Sequence, residues 1–548
     1  MHNTLSLDRK YNAAEWPKDY RENYIRQGLW NDETFDQCIR HISQAYPDSV
    51  ALRFHSQSVT YQQLVQKAEQ LAYCLISKGL NKGDVVILQL PNSINYIETL
   101  FALFIAGIVP IFALPAHREN EIMAFAAASQ AKAWIYQDIL EDAPIAPLAD
   151  LMVQTCPELM QLSVSVGETL FDSLNAVATP RQRLAKNHPD DLACFQLSGG
   201  TTGIPKLIPR RHRDYLCNMR AAVSACGFNP HTVYMTVLPM GHNFPLACPG
   251  FMGTLLAGGR VVIADQNYPD HCFALIKQEG VTVTALVPPL AMVWLDAAEV
   301  YQPSLTTLQT LQVGGAKMSY EAAKRVQPVL GCTLQQVFGM AEGLICFTDF
   351  QSTSLRTLTT QGQPMTAADE IRVVDDAGDD VAPGEIGYLL TRGPYTIRGY
   401  YGPAEINQES FDHNGFYRSG DLVRMTLDGD IISEGRDKDQ INRGGEKIDC
   451  GELEDILLRH PGIKDAAIVG IHDDYLGELT CAFLLCESPH PKAVELRQFL
   501  MQQGVARFKI PDRFHFPHAF DLTGVGKISK KQLRSRLKQE YLQNLEGK

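Results

Sequence analysis

Apolar residues recur at helical spacing at Leu64, Ala68, Leu71, Ala72 and Leu75, and soon afterwards Val85, Val86, Ile87 and Leu88 form one compact run. A one-sided stripe needs a 3.6-residue period, whereas a short continuous apolar run suits a strand covered on both faces. The two patterns therefore predict a helix over 61–78 and a buried strand over 84–90. The alternation returns at 133–136, at 260–264 and at 281–287, the last followed by Pro288-Pro289. The longest apolar run, 100–115, falls short of the roughly 20 residues that cross a bilayer and contains Gly107 and Pro110, so it reads as a buried helix ending in a buried strand. This succession predicts an α/β architecture with largely parallel sheets.

After about residue 364 the texture shortens into strand-like pieces at 370–374 and 387–391, separated by Asp379-Asp380 and Pro383-Gly384, which predicts a small β subdomain. Further on, 466–471 and 481–485 read as two strands and 494–501 as a helix. The expected organisation is a large N-terminal domain over 1–435, made of α/β subdomains plus the small β subdomain, and a small α+β C-terminal domain over 436–548, divided near Gly435-Arg436.

Composition narrows the partners. Apolar residues make up 45% and charged residues 20% of the 548, an ordinary mixture for a chain that buries a core. With 62 acidic against 49 basic residues the formal charge is −13, so the molecule as a whole repels a polyanion and a nucleic-acid partner is not expected. The one basic run, Arg210-Arg211-His212-Arg213, reads as a solvated face. Thirteen scattered cysteines without a C-x-x-C pair fit reduced, buried thiols. Residues 1–16 lack the apolar core of a signal peptide, so a cytoplasmic location without membrane attachment is expected.

The segment most suggestive of chemistry is Ser198-Gly199-Gly200-Thr201-Thr202-Gly203-Ile204-Pro205-Lys206. Glycines let backbone amides turn towards phosphate oxygens, hydroxyls add donors and the lysine adds charge. It has no G-x-x-x-x-G-K-[ST] register and so is not a P-loop; on its own a flexible surface turn fits equally well. Fifteen histidines are scattered without metal-ligand spacing.

The segment has company, in order along the chain: Phe338-Gly339-Met340-Ala341-Glu342, Tyr417-Arg418-Ser419-Gly420-Asp421, Glu434-Gly435-Arg436, Asn442-Arg443-Gly444-Gly445-Glu446-Lys447 and Gly524-Val525-Gly526-Lys527. In these motifs the chain resembles the ANL adenylate-forming superfamily of acyl-CoA synthetases, nonribosomal adenylation domains and luciferases. Gly241-His242-Asn243-Phe244-Pro245-Leu246 and Met340-Ala341-Glu342-Gly343-Leu344 look specifically like the stand-alone aryl-acid AMP ligases of siderophore biosynthesis.

The resemblance implies ATP and Mg²⁺ as cofactors and gives each motif a role. Lys527 would bridge the carboxylate and the nucleotide. Ser198, Gly199, Thr201, Thr202, Gly203 and Lys206 would hold the phosphates, and Glu342 would carry Mg²⁺, a hard cation suited to a carboxylate and phosphate oxygens. Gly314 and Gly315, with Val337, Phe338 and Gly339, would form the adenine slot. Asp421 would accept hydrogen bonds from the ribose hydroxyls, with Arg436 nearby. It also implies that the C-terminal domain swings about Lys438. Lys527 would then face the site in the first half-reaction and the 442–447 loop in the second, in which a phosphopantetheine thiol enters.

For the acid, His242, Asn243 and Phe244 follow a strand-like 233–238 stretch, so they could lie at the mouth of a sheet. The Asn243 amide can hydrogen-bond a 2-hydroxybenzoate while Phe244 packs on its ring. In such ligases the residue five after that asparagine and the one after Glu-Gly-Leu tend to be Ser and Val for 2,3-dihydroxybenzoate, Cys and Leu for salicylate. Here they are Cys248 and Ile345, which leans to salicylate with 2,3-dihydroxybenzoate nearly level. The expected partner is a separate aryl carrier protein. An aryl-CoA ligase is the alternative, and a non-catalytic nucleotide-binding homologue is disfavoured because Lys527, Glu342 and Asp421 are all present.

Overall fold

The computed structural model describes residues 14–174, 184–198, 206–318, 320–375, 377–402, 404–436, 440–486 and 490–520, together with 530, 533, 534, 536 and 537. The helix expected over 61–78 spans Tyr61–Ser77, started by a reciprocal cap between Thr60 and Gln63. The long apolar run resolves as expected. A helix, Ile94–Ala106, is buried at every position; Gly107 ends it in a left-handed conformation (φ 69°), and the buried strand Val109–Phe112 follows. Its start lies earlier than the apolar run because Ser93 caps it, its hydroxyl accepting from the Tyr96 amide at 3.1 Å.

Two large sheets flank this helix, which shares one hydrophobic cluster with residues of both, among them Val86 and Leu88 from one and Tyr234 and Val261 from the other. The first has six strands in the order Lys206–Arg211, Leu192–Ser198, Val109–Phe112, Val85–Gln89, Ala133–Gln137 and Met160–Val164, parallel except for its first pair. The second has nine strands, with a parallel centre in the order Thr333–Gly339, Thr310–Val313, Val283–Leu286, Val233–Thr236, Arg260–Ile263 and Val50–Phe54. In such sheets ligands gather beyond the carboxyl ends of the strands.

The small β region is a four-stranded antiparallel sheet of Glu370–Val374, Gly387–Arg392, Tyr417–Met425 and Ile431–Arg436. A five-stranded sheet follows, built around the hairpin Ile463–Asp473 and Gly477–Cys486, with Gln440–Arg443 and Glu446–Asp449 on one edge. The fold is α/β with a separate C-terminal region, and among the described residues no helix is long and apolar enough to cross a membrane.

One expectation is corrected. The run 210–213 is not a solvated face: Arg210, Arg211, His212 and Arg213 are all buried. Arg210 pairs with Asp214 at 3.1 Å and donates to the Tyr395 carbonyl at 2.8 Å, and Arg213 pairs with Asp190 and Asp32. Buried cations persist where each finds a carboxylate or carbonyl, and the sequence run does not show those partners. Of the thirteen cysteines eleven are buried.

Candidate active site

A cavity and a cleft meet at the carboxyl ends of the central parallel strands. The cavity is lined by Ser198, His242, Asn243, Phe244, Cys248, Gly315, Val337, Gly339 and Glu342, and it continues past Lys447 and Glu446 towards Glu452, Lys509 and Glu121. The cleft, of about 750 Å³, is lined by Gly315, Val337, Phe338, Gly339 and Asp421 and by Asn442 and Lys447. Gly315, Val337, Gly339 and Lys447 line both. Gly314 is closely packed here: a Cβ would stand 3.0 Å from the Val337 carbonyl oxygen and 3.1 Å from Phe244 Cζ.

Glu342 sits near the junction and is only 2% exposed. Its Oε1 accepts from the Tyr400 hydroxyl at 2.7 Å, and that hydroxyl also meets Tyr417 Oη at 2.9 Å. Burial pushes this carboxyl up, but the Lys447 ammonium and the hydrogen bonds from Ser198 and Tyr400 outweigh it and hold the group below its ordinary range. The buried carboxylate is thus kept ionised, and it fits a Mg²⁺ ion, which takes one or two carboxylates and completes its shell with water and substrate phosphates. Among the described residues no cluster of three or more ligating side chains forms. Lys206 donates to Ser410 Oγ at 3.3 Å and lies 4.6 Å from the centroid of the Tyr400 ring, the tyrosine that holds Glu342.

At the closed end of the cavity, His242 caps the short helix Asn243–Ala247, its Nδ1 accepting from the Phe244 amide at 3.4 Å. Burial and the Lys447 charge push this imidazole down to about 4, so it is neutral at neutral pH. Asn243 Oδ1 accepts from the Tyr215 hydroxyl at 2.7 Å, and Asn243 Nδ2 stands 3.6 Å from Cys248 Sγ. Burial pushes the Cys248 thiol well up, so it stays protonated.

The protein surface beyond 440 closes over this junction. Asn442 Nδ2 donates to the Gly315 carbonyl at 2.6 Å. Lys509 Nζ donates to Glu121 at 2.8 Å and to Glu452 at 2.8 Å, tying the helix Glu119–Ser129 to the helix Cys450–Leu457.

An AMP-binding enzyme profile matches residues 39–401, and the AMP-binding enzyme C-terminal domain matches residues 452–527. The chain belongs to the AMP-binding enzyme family. Among its relatives, pyochelin synthase PchD of Pseudomonas aeruginosa is 50% identical, over 96% of this chain and 97% of that protein. The 2,3-dihydroxybenzoate-AMP ligase of Bacillus subtilis is 47% identical, over 96% of this chain and 98% of that one. The solved apo structure of Mycobacterium smegmatis MbtA is 38% identical, covers 95% of this chain and 98% of its own, and superposes with a TM-score of 0.73.

Within this AMP-binding enzyme, the expected residues that converge are Ser198, His242, Asn243, Phe244, Cys248, Gly315, Val337, Phe338, Gly339, Glu342 and Asp421. Ile345 does not line the cavity. It is fully buried in the strand Ile345–Phe347, behind Gly339, with its Cγ1 3.2 Å from where a Cβ on Gly339 would lie. It shares a hydrophobic cluster with the cavity-lining Phe244, Cys248 and Val337. Gly199, Thr201, Thr202, Gly203, Lys438 and Lys527 lie outside the described residues. Arg436 is described only by its backbone, paired with Asp421 across two antiparallel strands.

Sequence reasoning missed Gln196, Tyr215, Tyr400 and Lys509. Gln196 had a signal, a polar residue inside an otherwise apolar strand; Tyr400 had none.

Proposed function

We propose that the protein activates a 2-hydroxybenzoic acid with ATP and passes the acyl group to the phosphopantetheine thiol of a separate aryl carrier protein in siderophore biosynthesis. In the first step a carboxylate oxygen attacks the α-phosphorus of ATP, pyrophosphate leaves and an aryl-AMP anhydride forms. In the second the thiol sulfur attacks the carbonyl carbon, the thiol proton is lost and AMP leaves. The observation that carries the reading is the junction itself: a small cavity lined by Asn243 and Glu342 shares Gly315, Val337, Gly339 and Lys447 with a nucleotide-sized cleft, and the Lys447 charge acts on Glu342. Charge that develops on phosphoryl oxygens needs such convergent polar groups.

In this reading Asn243 and Phe244 orient the acid, with His242 and Cys248 beside them. Asp421 and Arg436 take the ribose, and Gly314, Gly315, Val337, Phe338 and Gly339 enclose the adenine. Ser198, Gly199, Thr201, Thr202, Gly203 and Lys206 hold the phosphates, and Lys527 meets the reacting carboxylate. Glu342 would hold Mg²⁺, which neutralises phosphate charge when bound. The chain divides into 1–435 and a mobile 436–548 that turns about Lys438. The arrangement with the 442–447 loop over the junction is the one for thiol transfer. A cytoplasmic location is supported by thirteen scattered cysteines without a C-x-x-C pair.

A carrier protein is favoured over coenzyme A by the outer end of the cavity. Its lining there holds Glu121, Glu446, Asp449 and Glu452, and its Lys509 already bridges two of them. A 3′-phosphate would meet carboxylates at that end. Salicylate is favoured over 2,3-dihydroxybenzoate because the thiol of Cys248 is a weak partner for a 3-hydroxyl and already contacts Asn243.

The test is acid-dependent exchange of labelled pyrophosphate into ATP with salicylate, 2,3-dihydroxybenzoate and benzoate at matched concentrations. Salicylate is expected to lead by about tenfold, roughly 1.4 kcal/mol. A lead for 2,3-dihydroxybenzoate overturns the substrate choice, and no exchange with any of them overturns the reading.

A further inference from the structure

Beside Asn243 lies a buried relay, in which Gln196 itself lines the cavity and Tyr215 does not. Gln196 Nε2 donates to Tyr215 Oη at 2.9 Å, and Tyr215 Oη donates to Asn243 Oδ1 at 2.7 Å. We propose that Tyr215, held by Gln196, is a positioning residue for acid recognition. Its hydroxyl fixes which end of the Asn243 amide faces the cavity, and so selects a benzoic acid whose ortho substituent accepts a hydrogen bond over one whose ortho substituent donates. The inference rests on the reading above that the Asn243 cavity takes an ortho-substituted benzoic acid.

The argument is one of proton count. An amide nitrogen can only donate, and a phenol has one proton to give. In the structure Gln196 donates to the Tyr215 hydroxyl, and that hydroxyl gives its single proton to the oxygen end of the Asn243 amide. Asn243 is left with its nitrogen and two protons. One faces Cys248 Sγ at 3.6 Å, and the other is available to the cavity that Asn243 lines.

The two ends of an asparagine amide are nearly the same size, so without the relay the group could turn over at little steric cost. With Gln196 donating to Tyr215, a turned amide would take away the acceptor of the Tyr215 proton in a buried site. The tyrosine itself is not free to move. The Arg210 guanidinium lies 4.6 Å from the centroid of its ring and is anchored in turn by Asp214 and the Tyr395 carbonyl. Burial pushes the Tyr215 phenol well up, so it keeps its proton throughout the working pH range.

Two acids of nearly equal size separate the possibilities. In 2-hydroxybenzoate the hydroxyl proton turns towards the molecule's own carboxylate, which leaves an outward lone pair to accept from Asn243 Nδ2. In 2-aminobenzoate one amine proton turns inward and the other outward, against the same donor. The relay therefore favours the hydroxy acid.

The test measures pyrophosphate exchange with both acids in the wild-type enzyme, in Tyr215→Phe and in Gln196→Met, with thermal unfolding as the check on folding. Tyr215→Phe is expected to lower the ratio of kcat/KM for salicylate over 2-aminobenzoate by about tenfold, the size of one buried hydrogen bond. The change should be carried by the KM for salicylate. Gln196→Met is expected to lower the same ratio by a smaller factor, since the Tyr215 hydroxyl then loses the donor that sets its rotor. A merely structural role for Tyr215 would depress both acids together, so an unchanged ratio in the folded variants overturns the inference while wild-type exchange leaves the aryl-acid reading standing. A wild-type enzyme that exchanges with neither acid overturns both.

Discussion

Lys509 offers the sharpest separation of the two proposed half-reactions. Its ammonium is buried between Glu121, from the helix Glu119–Ser129, and Glu452, from the helix Cys450–Leu457, with hydrogen bonds of 2.8, 2.8 and 3.1 Å. Burial pushes this lysine down, the two carboxylates push it up, and the balance lies above its ordinary value, so the cation persists. Lys509→Met keeps the length of the side chain and leaves two carboxylates facing each other out of water. Removing one member of a buried pair costs about 3–5 kcal/mol when the charges that remain cannot escape. On the proposed movement of the C-terminal unit they can, because undocking would rehydrate both, and the cost would then fall on the docked arrangement rather than on folding. Taking about half, ~2 kcal/mol, the docked population drops roughly thirtyfold. The assay follows the half-reactions separately, as acid-dependent pyrophosphate exchange and as single-turnover transfer from preformed aryl-AMP to a phosphopantetheinylated carrier. Transfer should fall by about ten- to thirtyfold and exchange by less than about threefold. Adding Glu121→Gln and Glu452→Gln to Lys509→Met should restore much of the transfer, since the stranded charges are gone. Equal losses in the two half-reactions, or no recovery in the triple variant, would refute the reasoning.

Three further outcomes follow from the geometry. Burial and the neighbouring Glu141 push the Glu446 carboxyl up to about 7, against the Lys509 charge; the docked form therefore holds a proton that a solvated carboxylate releases at lower pH. Docking should strengthen as pH falls from 7 towards the ordinary glutamate range and weaken as pH rises through 7, so the compact fraction seen by small-angle scattering should drop between pH 6 and 8 in the wild type and stay flat in Glu446→Gln; a flat wild-type profile contradicts this. Cys248→Ser replaces a weak partner by a good one, and the exchange ratio of 2,3-dihydroxybenzoate to salicylate should rise about three- to tenfold, with no rise telling against a role for Cys248 in reading the 3-position. Tyr400→Phe removes the donor to Glu342 Oε1 and should lower the exchange kcat by about tenfold, in line with ~1–3 kcal/mol for an unmet buried acceptor; an unchanged kcat would show that Glu342 does not depend on Tyr400.

Periodicity and motif chemistry were local enough to be read from the chain. The buried strand Val85–Gln89, the helix Tyr61–Ser77 and the strands Ile463–Asp473 and Gly477–Cys486 announce themselves through which residues can bear burial on one face or two, while the antiparallel pairing of those last two strands does not. Asn243, Glu342 and Asp421 were singled out by the resemblance of their motifs to the adenylate-forming superfamily, and the fold brings them to the cavity and the cleft. What the chain could not state is who stands opposite. Arg210 looks like a surface charge until Asp214 and the Tyr395 carbonyl are seen around it, and Ile345 looks like a pocket wall until Gly339 is found in front of it. The amide of Asn243 has no preferred face until Tyr215 reaches it from another helix, and Lys509 finds Glu121 across 388 residues of chain. Local sequence sets which backbone conformations and burial patterns are affordable; the pairing of buried charges and the direction of buried hydrogen bonds are settled only when distant elements pack, because only then is water removed and each donor obliged to find its acceptor.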